Sequence, residues 1–383
     1  ACDLHEKGSL QEAVELYHKL LAFLPESPLL HFNCGLALYE LQDFQEAAPH
    51  YQLARLANPE DPDIFYNQGL NYRALGEMEE AVLSFEQAIQ LGDNSVDSLY
   101  NLALCYQDLD NRNEAGRLYE RILADFPGHQ SSLNNYAYLC HKSGELKKAL
   151  ALYKKLLEEN PEHASARHML NSISGKGASS APLSYVEEVF DNYADNFEQS
   201  LLEKLKYRTP GELFKRYRLL FGDGPVKSCL DLGCGTGLAG ELFAPSCQEL
   251  TGVDISAEML NVAEEKEIYS KLVKDDIVHF LQESSAPYDL ILAADVFTYL
   301  GELEEIFTAC LLKSKAGGLF LFSVEESSSN GCELKASGRF GHSADYIQEL
   351  CRESGWNLLD CHPSKLRQDK GEWIKGFLYT LQK

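Results

Sequence analysis

The chain of 383 residues is long for one domain and predicts two or three. Its formal net charge of −25 and pI near 4.8 argue against a general affinity for nucleic acid or for an anionic membrane, because both select basic surfaces. The sequence contains no run of about 18 apolar residues and opens with no signal-peptide pattern. We therefore expect neither a nucleic-acid partner nor a membrane partner.

The eleven cysteines form no recognisable metal or disulfide pattern. Their number is odd, and no C-x-x-C pair or matched Cys/His spacing links them. Free cysteine is usually a small buried residue, and unpaired cysteines are typical of a reducing compartment. We therefore expect buried thiols, no metal site and a cytoplasmic protein.

The N-terminal half repeats itself with a period of 34 residues. An alanine recurs at this interval, and an aromatic residue follows each alanine four positions later. Small residues would allow two helices to cross closely, and the aromatics would fill the space between units. The alanines are Ala13, Ala47, Ala81, Ala115 and Ala149, and the aromatics are Tyr17, Tyr51, Phe85, Tyr119 and Tyr153.

This pattern resembles that of tetratricopeptide repeats, in which pairs of antiparallel helices stack into a solenoid. The resemblance implies a partial first repeat, four complete repeats and a closing helix over residues 164–173. We therefore predict an all-α repeat domain over residues 1–174, followed by a small, polar linker over residues 175–182. A flexible linker would raise the local concentration of a substrate held by one domain near the other.

A second series of residues shares the 34-residue period on the first helix of each pair. Its asparagine amides can donate and accept hydrogen bonds together, which suits the backbone of an extended peptide. The series resembles the asparagine row with which the repeat domain of O-GlcNAc transferase holds peptide main chain. We predict a protein or peptide partner on the concave repeat surface; the alternative is that asparagine is simply common at this repeat position. The predicted contacts are Asn33, Asn67, Asn101, Asn135, Tyr66 and Tyr100.

In the C-terminal half, an apolar run is followed by closely spaced glycines. Residues 231–237 have the sequence D-L-G-C-G-T-G, and a helical pattern begins at Leu238. The stretch predicts a buried strand, a glycine turn and a helix start. Glycine allows positive φ and the close approach of a ligand. An acid inside the strand suits a ligand with an ammonium group.

The sequence D-L-G-C-G-T-G resembles motif I of the class I S-adenosylmethionine-dependent methyltransferases. The resemblance implies S-adenosylmethionine as cofactor and S-adenosylhomocysteine as product. Alternating strands and helices predict an α/β, Rossmann-like domain over residues 183–383, with the ligand at the carboxyl ends of the strands. Two apolar runs, residues 356–363 and 373–381, predict a closing antiparallel hairpin.

The predicted cofactor contacts lie at the ends of successive strands. Asp254 ends the second strand, where an acid accepts both ribose hydroxyls. Two alternatives stay open, because Asp275 competes with Asp276 for the adenine amino group and a core role for Met259 is equally consistent. The predicted contacts are Asp231, Gly233, Cys234, Gly235, Gly237, Asp254, Ile255, Met259, Asp276, Ile277 and Asp295.

Two further segments resemble bacterial methyltransferases that carry tetratricopeptide repeats. The segment 185–210, which begins with a helix predicted over residues 185–197, resembles their lead-in segment, which caps the cofactor pocket. The resemblance places Tyr193 over the bound cofactor; packing of its aromatics on the sheet is the alternative. The stretch 338–343 resembles their R-F-x-H-S segment. We expect its His342 to lie in a loop at the cleft as a general base, with a structural role as the alternative. Asp295 would border the methyl group.

These observations predict direct, in-line methyl transfer to an oxygen or nitrogen acceptor, with most of the acceleration coming from alignment. The chain has A-D-V-F at residues 294–297, where family members that methylate amide or adenine nitrogen have D/N-P-P-Y/F, which argues against DNA methylation. Two alternatives remain. One is a small-molecule methyltransferase whose repeats only scaffold or dimerise, and the other is a non-catalytic, S-adenosylmethionine-binding adaptor. The sequence does not determine the oligomeric state.

Overall fold

A computed structural model describes residues 1–191, 198, 200–284, 286–369 and 371–383. They form two compact units, Ala1–Pro161 and Glu162–Lys383. The division falls before the helix Ala164–Ser174, whereas the predicted domain boundary follows it. Within the part of the chain that is described, no helix is both long enough and apolar enough to cross a bilayer.

The first unit is built from pairs of helices joined by short turns. Each pair contributes one first helix and one second helix, as the 34-residue period predicts. The helices are α1 (Cys2–Glu6), α2 (Leu10–Leu21), α3 (Pro28–Glu40), α4 (Phe44–Ala57), α5 (Pro62–Ala74), α6 (Met78–Gln90), α7 (Val96–Asp108), α8 (Arg112–Asp125), α9 (Gln130–Lys142) and α10 (Leu146–Glu159).

The periodic alanines and aromatics form the core of this unit, as predicted. Each of the five alanines is fully buried, and the five aromatics are at most 1% exposed. Helices cross closely where the repeat has glycine. A Cβ on Gly69 would lie 2.8 Å from Cε1 of Phe85, which is closer than van der Waals contact allows. The small residue is therefore required by the neighbouring aromatic ring.

The second unit begins with α11 (Ala164–Ser174) and α12 (Leu183–Asp191), followed by a π-helix over Ser200–Lys204. Its remaining described helices flank a sheet. They are Thr209–Phe221, Leu238–Phe243, Ala257–Glu265, Ile277–Glu283, Glu304–Lys313 and Ala344–Ser354, with 3₁₀ turns at Ala244–Ser246 and Phe297–Tyr299.

The main sheet of the second unit has seven strands. They are β1 (Val226–Leu232), β2 (Cys247–Asp254), β3 (Lys271–Lys274), β4 (Tyr288–Ala293), β5 (Ser314–Glu325), β8 (Asn357–Asp369) and β9 (Glu372–Gln382). Their order across the sheet is β3-β2-β1-β4-β5-β9-β8. The first five in this order are parallel, and the hairpin β8–β9 adds to β5 in the antiparallel sense, as predicted. A separate two-stranded sheet pairs β6 (Cys332–Leu334) with β7 (Phe340–His342).

The central strands are apolar on both faces because helices cover both faces of the sheet. In β5, Phe320 and Phe322 belong to one hydrophobic cluster, while Leu321 between them belongs to another. The strand β4 divides in the same way, with Ile291 in the first cluster and Leu292 in the second. The alternation follows from the two-residue period of a strand, which directs successive side chains to opposite faces.

The segment predicted as a linker is packed onto the second unit rather than loose. The backbone N–H of Ala181 donates to the carbonyl of Tyr299 at 2.8 Å, and the N–H of Gly301 donates to the carbonyl of Ser179 at 2.9 Å. The side chain of Ala181 is 3% exposed. These bonds hold residues 179–181 beside the turn that follows β4.

Candidate active site

A cavity opens at the carboxyl ends of the parallel strands. It is lined by the glycine turn after β1, by the end of β2 and by the segment after β4, which contribute Gly233, Asp254 and Asp295 among others. Ligands bind at this edge of open α/β sheets because the strand ends and the helix starts present free polar groups there. The cavity thus lies at the edge of the sheet where the sequence predicted the ligand.

The glycine turn needs its glycines for backbone geometry. Gly233 and Gly235 have φ of 61° and 54°, and Gly237 has φ of 94° as the N-cap of the helix Leu238–Phe243. A Cβ on Gly233 would also lie 2.7 Å from Cγ2 of Val296. The turn thus combines positive φ with a close approach to the segment after β4. Gly233, Cys234 and Gly235 line the cavity, whereas Gly237 shapes the helix start beside it.

Asp254 is held rigidly at the end of β2. Its Oδ2 accepts a hydrogen bond from the Gly235 N–H at 2.8 Å, and its Oδ1 accepts one from the Ser256 N–H at 2.9 Å. The residue is 7% exposed. Burial raises the pKa of its carboxyl, although the two backbone hydrogen bonds act in the opposite direction. Each oxygen keeps a further lone pair, so the carboxylate can still accept hydrogen bonds from a ligand in the cavity.

Asp231 is a second buried acid at this edge. It is 1% exposed, and its Oδ2 accepts a hydrogen bond from the Tyr269 hydroxyl at 2.8 Å. Burial raises the pKa of Asp231 to about 7, and the nearby Asp254 adds to the increase. A cationic group bound in the cavity would favour the charged carboxylate. The side chain therefore suits a ligand with an ammonium group, as the sequence predicted.

Asp275 and Asp276 both line the cavity, so the alternative between them stays open. β3 ends at Lys274, before either acid. Asp276 caps the following helix, and its Oδ1 accepts from the N–H groups of Val278 and His279 at 3.0 and 2.9 Å. Asp275 instead contacts Nδ1 of His279 at 2.8 Å.

Two of the three apolar side chains predicted near the adenine lie at the cavity. Ile255 and Ile277 line it. Met259 is fully buried in the helix Ala257–Glu265 and is not among the described residues of the lining. Its burial and its position outside the described lining favour the alternative, a core residue, over contact with the cofactor.

Asp295 follows β4 and takes part in a network of buried charges. Its Oδ2 accepts from Nη1 of Arg367 at 2.6 Å, and Nη2 of the same arginine contacts Glu325. Asp295 has φ of 64°, and its N–H donates to Oγ of Ser323 at 2.8 Å. Its Oδ1 is buried and has no hydrogen-bond partner among the described residues. A strained, partly unsatisfied acid in a cavity is typical of a functional site.

The charges around Asp295 are nearly balanced. Burial alone would raise the pKa of Glu325, but Arg367, Arg339 and Lys335 together lower it below its usual value. Nζ of Lys335 lies 2.9 Å from Oε2 of Glu325. Arg339 and Arg367 line the cavity. Glu325 is therefore charged, and cationic groups reach the same wall of the cavity.

Two further residues of this wall, Arg367 and Tyr207, were not predicted from the sequence. Arg367 comes from the closing hairpin, and Tyr207 precedes the helix Thr209–Phe221. Burial raises the pKa of Tyr207 well above its usual value, and the neighbouring Asp295 adds to the increase. Tyr207 lies within the lead-in segment but was not singled out there. No local motif marks Arg367, because the sheet brings it to the cavity from a distant part of the chain. A basic residue inside an otherwise half-buried strand was the one available signal for Arg367.

The expectation that His342 lies in a loop at the cleft is wrong. His342 ends the strand β7, is fully buried, and its Nε2 contacts the carbonyl oxygen of Gly301 at 3.0 Å. Burial lowers its pKa to about 4, so the imidazole is neutral and a weak base at neutral pH. It is not among the described residues that line the cavity. The alternative, a structural histidine, fits these contacts. Tyr193, the other aromatic prediction, lies outside the described residues.

The predicted asparagine series lies on the first helices of the repeats, at half-buried positions. Nδ2 of Asn67 donates to the carbonyl of Asp63 at 2.8 Å. Nδ2 of Asn135 donates to the Tyr100 hydroxyl at 2.8 Å. Oδ1 of Asn101 accepts from Nη1 of Arg73 at 2.7 Å. Asn33 and Tyr66 complete the series on α3 and α5. A bound peptide would therefore have to replace these internal hydrogen bonds with its own.

The cavity fits a polar ligand of the kind predicted. Oγ1 of Thr236 lines it, is 1% exposed as a residue, and has no hydrogen-bond partner among the described residues. Together with Oδ1 of Asp295 it leaves two buried oxygen atoms that a bound molecule can satisfy. Asp231 and Asp254 line the same cavity, and carboxylates can accept hydrogen bonds from ammonium and hydroxyl groups, both of which S-adenosylmethionine carries.

Comparison with known families agrees with this geometry. A family model described as a methyltransferase domain matches residues 230–320. Models described as tetratricopeptide or TPR repeats match residues 3–42, 32–96 and 108–173.

Curated relatives resemble the second unit. Nodulation protein S of Rhizobium tropici is 32% identical over 139 residues, covering 33% of this chain and 57% of that protein. The ubiquinone biosynthesis O-methyltransferase of Klebsiella pneumoniae is 30% identical over 144 residues, covering 37% of this chain and 56% of that protein. The chain thus spans a little over half the length of these relatives.

Among solved structures, the N-methyltransferase NodS from Bradyrhizobium japonicum in complex with S-adenosyl-L-homocysteine aligns with a TM-score of 0.38 and 20% identity. The alignment covers 45% of this chain and 86% of NodS. The sequence motif agrees with the strand order and with the family matches about the kind of protein this is. The chain combines tetratricopeptide repeats with a methyltransferase domain of class I, the S-adenosylmethionine-dependent type.

Proposed function

We propose that the chain transfers the methyl group of S-adenosylmethionine to an oxygen or nitrogen atom of an acceptor. The observation that carries this proposal is the position of Asp254. Its two oxygens are fixed by the N–H groups of Gly235 and Ser256 at the end of β2, beside the glycine turn. A carboxylate held in this way presents its remaining lone pairs to the two ribose hydroxyls of a nucleoside.

The remaining cofactor contacts follow from charge and polarity. Asp231 holds the ammonium group, and Oγ1 of Thr236 satisfies a polar group of the same end of the molecule. Asp276 or Asp275 accepts from the adenine amino group. Ile255 and Ile277 provide apolar contact for the ring. Their places in the lining of one cavity support these roles.

S-adenosylmethionine, when bound, supplies an electrophilic methyl group on a positively charged sulfur. The protein has to align the acceptor atom and exclude water, and alignment alone can supply roughly 7 to 11 kcal/mol. We assign Oδ1 of Asp295 to accepting a hydrogen bond from the O–H or N–H of the acceptor, because this buried oxygen has no partner among the described residues. Arg367 fixes the other oxygen of the same carboxylate at 2.6 Å.

The role of Asp295 can be separated from cofactor binding. Asp295→Asn keeps the size of the side chain but weakens its acceptor strength, so we expect kcat to fall at least tenfold while the affinity for S-adenosylhomocysteine changes less than threefold, on the order of one weakened charged hydrogen bond. An equal loss of cofactor affinity would assign Asp295 to the cofactor instead.

The nature of the acceptor is the finer part of the proposal. The relatives named above include an O-methyltransferase, and tetratricopeptide solenoids usually bind protein segments. We therefore propose a protein or peptide acceptor that the repeat unit selects. The asparagine series, with Tyr66 and Tyr100 beside it, supports this surface because its amides can pair with an extended backbone.

Labelled cofactor tests the reaction and the acceptor class together. The purified chain is incubated with methyl-labelled S-adenosylmethionine and cell extract, and protein is separated from small molecules before counting. Label in protein supports the proposal. Label confined to small molecules favours the small-molecule methyltransferase, and bound cofactor without any transferred label favours the non-catalytic adaptor.

The repeat surface has its own test once a labelled protein is in hand. Asn67→Ala together with Asn101→Ala should raise KM for the protein acceptor about tenfold, the effect of losing two hydrogen bonds at roughly 0.5 to 1.5 kcal/mol each, and should leave kcat unchanged. Asn261→Ala, in the methyltransferase domain, is the matched control. An unchanged KM in the double variant would show that the asparagine series does not bind the acceptor.

A further inference from the structure

A cluster of histidine and cysteine side chains lies in the repeat unit and includes no residue of the cavity lining. His18 belongs to α2, Cys34 to α3 and His50 to α4. Their ligand atoms all lie within 4.8 Å of one another. Cys34 is buried, His50 is partly buried and His18 is exposed, so the cluster is open to solvent on one side.

The tetratricopeptide pattern does not require these residues. One period of 34 residues later, the corresponding positions hold Gln52, Gln68 and Ser84, none of which is a metal ligand of comparable strength. The three members are separated by 16 residues in each step, because they come from three successive helices of the solenoid. This spacing differs from the short Cys/His spacings of zinc fingers, which is why the sequence predicted no metal site.

Hydrogen bonds fix the orientation of His50. The carbonyl oxygen of Pro25 can only accept, and Nε2 of His31 lies 2.9 Å from it, so this nitrogen carries the proton. Nδ1 of a neutral His31 then accepts from Nδ1 of His50, which lies at 2.9 Å. The proton of His50 is therefore on Nδ1, and the lone pair of Nε2 points towards Sγ of Cys34 at 3.7 Å.

This arrangement matches the surroundings of a metal-binding histidine. Such a histidine usually donates its second N–H to a neighbouring acceptor, which fixes its tautomer and its ring orientation. His31 is that acceptor here, and Pro25 fixes His31 in turn. The chain of hydrogen bonds leaves His50 with one ring nitrogen that carries no proton and faces Sγ of Cys34.

The donor set and its distances suit zinc. Imidazole and thiolate are the preferred ligands of Zn²⁺, and tetrahedral geometry with Zn–S near 2.3 Å and Zn–N near 2.0 to 2.1 Å separates sulfur and nitrogen by about 3.6 Å. Cys34 and His50 are separated by 3.7 Å. His18 is exposed and can move the remaining distance. Oε1 of Glu46 lies 4.0 Å from Nε2 of His18 and offers a fourth ligand.

We propose that His18, Cys34 and His50 bind one zinc ion, with Glu46 or a water molecule in the fourth position. The thiol of Cys34 releases its proton to solvent as its sulfur bonds to the ion. The bound ion links α2, α3 and α4 and stabilises this end of the repeat unit. The site is independent of the methyltransferase reaction.

Metal titration of the full chain tests the site. The protein is stripped with a chelator and titrated with Zn²⁺ against a chromophoric chelator, and separately with Co²⁺. We expect one equivalent of tight binding, and a sulfur-to-cobalt charge-transfer band in the near ultraviolet. Cys34→Ala should abolish this band. Cys105→Ala is the matched control, because Cys105 is an equally buried cysteine in a first helix of another repeat.

Two more variants test the site independently of Cys34→Ala, in case that variant folds poorly. His18→Gln changes an exposed ligand and should weaken zinc binding at least tenfold, whereas His362→Gln in the second unit should not change it. His31→Phe removes the orienting acceptor and should weaken binding on the order of 10- to 100-fold, as is usual for such residues. A wild-type chain that cannot compete with the chelator, or equal binding by the Cys34 and Cys105 variants, would overturn the proposal.

Discussion

The two compact units bring polar side chains together over different distances along the chain. In the repeat unit, the pairs join helices of the same repeat, as for His31 with His50, 19 residues apart, or of adjacent repeats, as for Asn135 with Tyr100, 35 residues apart. In the second unit, Arg367 reaches Asp295 across 72 residues and Glu325 across 42. A substitution in the repeats should therefore disturb neighbouring helices, while one at the cavity should disturb several strands at once.

The largest effect is expected where one side chain joins two strand ends. Arg367→Met removes the partner of two buried acids, so the free energy of unfolding of the second unit should fall by about 3 to 5 kcal/mol. Both tryptophans, Trp356 and Trp373, belong to this unit, so tryptophan fluorescence during urea unfolding measures it alone.

A second arginine provides the control for this comparison. Arg216 pairs with Asp360 through two hydrogen bonds of 2.9 and 2.8 Å, and its side chain is 22% exposed. Because that pair is nearer to solvent, Arg216→Met should lower the free energy of unfolding by only about 1 kcal/mol. Equal losses for the two variants would contradict the idea that the cavity network holds the strand ends together.

The glycine turn should be the next most sensitive element. Gly233→Ala forces a Cβ to within 2.7 Å of Val296 at a φ of 61°, and we expect a loss of about 2 to 3 kcal/mol, with weaker cofactor binding as the turn shifts. Gly175→Ala, at the end of the helix Ala164–Ser174, has a similar φ of 66° but meets no atom within 4 Å. It isolates the backbone strain and should cost about 1 kcal/mol. The two variants are compared by the same fluorescence measurement.

Cofactor affinity should depend on pH through Asp231. Its pKa is about 7 without ligand, and an ammonium group binds the charged carboxylate more strongly. Affinity should therefore fall by up to tenfold per pH unit below about pH 7; the titration is kept below about pH 8, where the ammonium group of the ligand itself begins to lose its proton. Asp231→Asn should bind weakly at every pH and remove this dependence. A flat profile in the unchanged chain would show that Asp231 does not meet the ammonium group.

The same acid should destabilise the fold when no ligand is bound. Its pKa is raised from 3.8 to about 7, so the folded state binds more protons than the unfolded state between these values. Stability should fall as pH rises through this range. Asp231→Asn should therefore raise the free energy of unfolding at pH 8, by roughly 1 to 4 kcal/mol.

The smallest effect is expected in the repeat unit. Gly69→Ala places a Cβ 2.8 Å from the ring of Phe85, so the ring has to move. The cost of this movement should exceed the gain in helix propensity, and the free energy of unfolding should fall by about 1 kcal/mol. In Gly116→Ala the nearest atom to the new Cβ belongs to Tyr136 and lies 3.5 Å away, which is an ordinary contact. The free energy of unfolding of this variant should instead rise by about 0.5 to 1 kcal/mol. Thermal loss of the helical circular dichroism distinguishes the two. A gain in both would show that the helix crossing is not tight.

The repeats and the glycine turn could be predicted from the sequence because each depends on a short pattern. An alanine recurs every 34 residues because little space is available at that helix crossing. The glycines of residues 231–237 recur because the turn needs positive φ. Asp254 was predictable for the same reason, since it ends an apolar strand shortly after the turn. These elements need no knowledge of distant parts of the chain.

The remaining features depend on contacts between distant segments. Arg367 reaches Asp295 only because the closing hairpin lies beside β5, and no pattern near residue 367 records that. His342 was misjudged because three residues of β7 resemble a loop when their partner strand is unknown. The cluster of His18, Cys34 and His50 appears only when three helices are stacked. The burial of a charged or polar side chain was in each case the missing information.

Calorimetric titration of S-adenosylmethionine into the full chain and into Asp254→Ala tests the central claim most directly. The wild-type chain should bind one equivalent, and the variant should lose at least about 100-fold in affinity, because two charged hydrogen bonds to the cofactor disappear. Asp345→Ala, in the first turn of the helix Ala344–Ser354, should bind as the wild type does. An Asp254→Ala affinity within a few-fold of the wild type would contradict the account.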